Sequence, residues 1–137
     1  MGFTYYQTLV IIPLNHPLTF ADLLDRLRQK FSRQNDFTVE QRHPHQIALR
    51  SNDGWELRIS LEDAPHAASE AQEIAENFEM EEADRAILKT SISYLSTAAD
   101  PDPNMNYFNE YVFVLEVFEQ YPGLYLFDPH TGEIRKT

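Results

Sequence analysis

Asp100-Pro101-Asp102-Pro103-Asn104 repeats the D-x-D-x-N opening of a calcium loop, whose oxygens suit a hard cation. The rest of that loop is missing. Its sixth position needs glycine and its twelfth a bidentate glutamate, and from Asp100 those places hold Met105 and Tyr111. His43 and His45, with Asp36 or Asp53, could hold zinc, but Pro44 separates the pair and no clear third ligand follows. His16, His66 and His130 stand alone beside prolines, as surface histidines do. The chain has no cysteine, which excludes disulfides, thiolate metal sites and a cysteine nucleophile. It has no G-x-S-x-G elbow, and its four glycines are not clustered into a phosphate loop. Ser91, Ser93 and Ser96 read as the polar face of a strand. The expectation is a non-enzymatic chain without metal, cofactor or catalytic residue. The competing class is a small metal-dependent hydrolase built on Asp100, Asp102 and the histidines.

The most distinctive charged stretch lies between Glu62 and Asp84. It holds nine acidic residues and no lysine or arginine. Glu70, Glu73, Glu76 and Glu79 recur three apart, which on a helix traces a slowly drifting stripe. With Glu81 and Glu82 they are the candidate partner-binding residues, set against the alternative of a merely solvated helix face. The net charge of −11 argues against nucleic acid and anionic membranes, and it is compatible with a basic protein partner. No stretch approaches the ~20 apolar residues of a membrane span, and no basic segment precedes the first apolar run. A soluble cytoplasmic protein is expected.

The elements that must carry these residues are organised around Asp100 to Glu133. Pro101 and Pro103 delay a helix, Asn104 to Asn106 offer N-caps, and Pro122 and Gly123 end it near Gln120. At ~100° per residue, Tyr107, Phe108, Tyr111, Val114, Leu115, Phe118 and Tyr121 share one broad apolar face, with Tyr111, Leu115 and Phe118 in the core and Val112 and Val117 on the flank. Phe113 falls on the polar face. Either a second structural layer covers it or it makes a partner or dimer contact. Leu124 to Phe127 reads as a strand buried on both faces, Asp128 to Gly132 as a tight turn, and Glu133 to Thr137 as a short edge strand.

Phe3 to Ile12 reads as a central strand. Thr19 begins a helix with Thr19 and Asp22 as a capping box, and Phe20, Leu23, Leu24, Leu27 and Phe31 as its apolar face. Residues 36–41, 46–50 and 54–61 alternate as an antiparallel meander with one wet face. Asp63-Ala64-Pro65 opens a second helix, whose narrow face is Ala67, Ala68, Ala71, Ile74, Ala75 and Phe78. Ala86 to Leu95 alternates as a strand, with helix as the alternative over 81–99. The expected fold is a single α+β domain over residues 1–137. A mixed, mainly antiparallel sheet in the order β-α-β-β-β-α-β-α-β is covered by helices.

The segments DPDPNMNYFNEY and GLYLFDPHTGEI resemble small bacterial proteins of uncharacterised function. In size, charge and class the chain also resembles immunity proteins that neutralise secreted toxins. That resemblance implies a protein partner, and a structural homodimer is the further alternative.

Overall fold

The computed structural model describes residues 6–63 and 65–137. Phe3 and Tyr5 of the first predicted strand, and Ala64 before the second helix, lie outside the described residues.

The strands are β1 (Leu9–Ile12), β2 (Phe37–His43), β3 (Gln46–Ser51), β4 (Glu56–Asp63), β5 (Ser93–Ala99), β6 (Tyr125–Phe127) and β7 (Ile134–Lys136). The helices are α1 (Phe20–Lys30), α2 (His66–Asn77), α3 (Glu82–Thr90) and α4 (Phe108–Glu119). The sheet runs β2-β3-β4-β5-β1-β6-β7. Every pairing in it is antiparallel, so the expected mixed character is replaced by a uniform one. β1 is central, as its two-sided apolar pattern predicts.

Period-two alternation sorts the side chains to two faces. Val10, Ile12, Leu49, Leu57, Ile59, Leu95 and Leu126 join the core under α1 and α4. Ile11, Tyr94, Tyr125 and Phe127 join a second core under α2 and α3. The second layer covers only part of its face. Over β2, β3 and β4 that side is a polar lattice in which Arg42 and Arg58 both bind Glu56, and Arg50 approaches Glu40 at 3.9 Å.

Three expectations are corrected. Ala86 to Leu95 is not one strand: α3 ends at Thr90 and β5 begins at Ser93. Alternation there spans too few residues to outweigh helix signals, with Glu82 and Asp84 in the first turn and Lys89 in the last. The N-cap of α4 is not an asparagine. The Asp102 carboxylate accepts from the backbone N–H of Asn106 at 2.9 Å and of Tyr107 at 2.8 Å. Within α4, Val114, Val117 and Phe118 are fully buried, while Tyr111 and Leu115 stand half-buried at the side. Thr19 caps α1 as predicted, its hydroxyl accepting from the Asp22 N–H at 3.1 Å.

α2 reaches the sheet through Ala67, Ala71, Ile74 and Ala75, which permit close approach. No basic residue occupies its last turn. Arg85 of α3 compensates, its guanidinium donating to the Ala75 carbonyl and, at 3.5 Å, to that of Met80.

Candidate functional site

The predicted glutamates divide between an open face and a cleft. Glu73 and Glu76 are exposed on α2, and Glu70 is half-buried at its start. Glu79 lies in the turn after α2, Glu81 is the residue capping α3, and Glu82 opens that helix, paired with Arg85 at 3.3 Å. Glu70, Glu73, Glu76, Glu79 and Glu81 have no ion-pair partner among the described residues. Glu79 and Glu81 converge with Asp84 on a cavity of about 310 Å³, bordered on its other side by Ile134, Arg135 and Lys136 of β7. A second cavity of about 460 Å³ shares Glu79, Ile134 and Arg135 and continues toward Tyr111, Leu115 and Leu126. The two form one concavity along the edge of the sheet.

Phe113 does not join this site. Its ring lies 6.2 Å from that of Phe31 and 5.4 Å from the Lys30 ammonium, half-buried against α1. The layer that covers it is therefore α1, on the opposite face of the sheet from α2.

The residues considered for metal are engaged elsewhere. Asp102 is buried, and besides its two backbone donors it accepts from the Tyr6 hydroxyl at 2.5 Å. Asp100 accepts from the Glu56 N–H at 3.1 Å and pairs with Arg58 at 3.3 Å. His43 and His45 are exposed where β2 turns into β3. Among the described residues no group of three or more histidines and carboxylates is placed to hold a metal ion. His16 accepts from the Leu18 N–H at Nδ1, which leaves Nε2 to donate to the Pro122 carbonyl at 2.8 Å.

No family model, no curated protein and no solved structure matches the chain.

Sequence reasoning missed a second use of the carboxylates. Four tyrosine hydroxyls donate to aspartates distant in the chain: Tyr6 to Asp102, Tyr107 to Asp53, Tyr121 to Asp22 and Tyr125 to Asp84. Asp22 and Asp84 lie in the first turns of α1 and α3, and Asp102 holds the backbone N–H groups of Asn106 and Tyr107 just before α4. Each bond thus pins a helix start, or the turn after β3, to the aromatic core. Burial, and then the aspartate bond, pushes the phenols of Tyr6, Tyr121 and Tyr125 well above the ordinary tyrosine range. The Tyr121 hydroxyl in turn holds the Asp22 carboxyl below its usual value. The Asp53 carboxyl is also held low, by the Ser51 hydroxyl first and that of Tyr107 second. Asp22 was legible in its capping box, but nothing local names the tyrosine that each aspartate meets.

Proposed function

We propose that this chain is a soluble, cytoplasmic, non-enzymatic binding protein whose acidic α2–α3 face docks a basic protein partner, in the manner of a toxin-neutralising immunity protein. One observation carries the reading: the charges are unevenly satisfied. Arg26, Lys30, Arg42, Arg50, Arg58, Arg85 and Arg135 are each held in an ion pair. The carboxylates of Glu70, Glu73, Glu76, Glu79 and Glu81 have no such partner among the described residues, and the first three recur at three-residue spacing along α2. Like charges at helical spacing repel, and a basic surface arriving from outside removes that repulsion. Exposed charges of this kind act mainly on the encounter rate, by steering a partner of opposite sign.

A pull-down from the native host tests the proposal, using the wild type and the triple variant Glu73→Gln, Glu76→Gln, Glu79→Gln. The wild type is expected to capture a basic protein. The variant should associate more slowly, with a flatter dependence of the rate on salt. Capture of no partner by the wild type, or equal capture by both, leaves the stripe as a solvated helix face.

A further inference from the structure

We infer that the basic partner enters as an extended segment added to the free edge of β7, with side chains alternating between basic and apolar. The inference rests on the binding reading above and names the element that does the binding. β7 ends the sheet, and no described strand pairs with its outer side. On its inner side the Thr137 N–H donates to the Leu124 carbonyl, and the Glu133 carbonyl accepts from the Asp128 N–H, both at 2.9 Å. Alternation along an antiparallel ladder therefore turns Glu133, Arg135 and Thr137 inward. The N–H and C=O groups of Ile134 and Lys136 point outward. Such a row of unpaired backbone groups is a template for another strand.

The concavity provides a different bank on each side of that edge. Toward α3 stand Glu79, Glu81 and Asp84. Toward α4 stand Tyr111, Leu115 and Leu126. Successive side chains of an added strand would point to alternate banks, one set meeting carboxylates and the other apolar surface. The cations of β7 offset the acidic bank only in part: Arg135 and Lys136 line the same cavity as its three carboxylates. Arg135 is drawn to Glu119 at 2.6 Å, on the α4 side, and the Lys136 ammonium lies 5.8 Å from the centre of the Tyr125 ring. The opposite edge is built differently. β2 has a register break between Gln41 and His43 and carries the Arg42–Glu40 pair, both of which discourage strand addition.

The test is an NMR titration of the ¹⁵N-labelled full chain with the blocked hexapeptide Lys-Val-Lys-Val-Lys-Val. A fully N-methylated version, which keeps the charges but has no backbone donors, serves as the control. Saturable shifts and slowed amide exchange are expected at Ile134 and Lys136. N-methylation should weaken binding at least about tenfold through lost edge bonds. Glu79→Gln with Glu81→Gln should weaken it about fivefold and flatten its salt dependence. Equal binding of the N-methylated peptide, or shifts confined to Glu73 and Glu76, would overturn edge addition while leaving the acidic-face reading intact. Absence of binding also overturns edge addition, and the pull-down judges the broader reading separately.

Discussion

α4 meets the sheet with Val114, Val117 and Phe118, whereas α2 meets it with Ala67, Ala71 and Ala75. The first layer is thick and aromatic. Tyr121 and Phe31 extend it, and two of its outward carboxylates are tied to neighbours, Glu116 to Lys30 and Glu119 to Arg135. The second layer is thin and backed by methyl groups, and its outward carboxylates are left to solvent. The difference teaches where a small acidic domain can carry unsatisfied charge. Stability is concentrated on one face, where each large buried side chain contributes roughly 1.5–3 kcal/mol. The other face can then tolerate a repulsive stripe.

Phe118→Ala should test this division most severely. The side chain is fully buried, and its loss should cost about 3–5 kcal/mol through lost burial and a cavity. Urea denaturation measures it, and a cost below about 1 kcal/mol would refute the asymmetry. Ala71→Leu probes the other layer. Ala71 is buried in the core under α2, so the added branches should overpack it at a cost of about 1–3 kcal/mol. A neutral result would show that α2 is not held at close approach.

The aspartate–tyrosine bonds predict how stability varies with pH. In the folded chain the phenols of Tyr6, Tyr121 and Tyr125 hold their protons to higher pH than in the unfolded chain. Their contribution is complete below the unfolded value of about 10 and falls as pH rises past it. The carboxyls of Asp22, Asp53 and Glu56 are shifted the other way, Glu56 chiefly by Arg42. Their contribution is complete above about pH 4–5 and is lost as pH falls below it. Urea midpoints measured across both limbs should show these losses. Tyr125→Phe should reduce the alkaline slope, and an unchanged slope would mean that this phenol is not buried beside Asp84 in solution.

The smallest expected effect belongs to α2. Replacing Glu73, Glu76 and Glu79 together by glutamine should raise the melting temperature by about one or two degrees, since only repulsion between exposed charges is relieved. A fall in melting temperature would show that the stripe is structurally engaged after all.

The layout of the chain was largely open to reading from local chemistry. Thr19 as a cap, the meander of β2 to β4, the central β1 and the two-sided β6 follow from residue types and periods that local sterics and burial impose. The acidic stripe was equally plain over Glu70, Glu73 and Glu76, because three-residue spacing on a helix needs no tertiary information, but Glu79 lies past the end of α2. The α3 segment was not, because a short run of alternating residues satisfies two periods at once, and packing of Leu88 against the α2 layer selected the helix. Nor was the anchoring of the segment before α4, where Asp102 accepts from the Tyr6 hydroxyl and from the Asn106 and Tyr107 N–H groups. Sequence placed Asp22 in the first turn of α1, where a carboxylate complements the helix dipole. Which tyrosine each aspartate meets, and that Glu79, Glu81 and Asp84 border a cleft beside β7, came only from the tertiary structure. Those contacts join residues dozens of positions apart, and burial of the two cores fixes them, with no local preference of the chain involved.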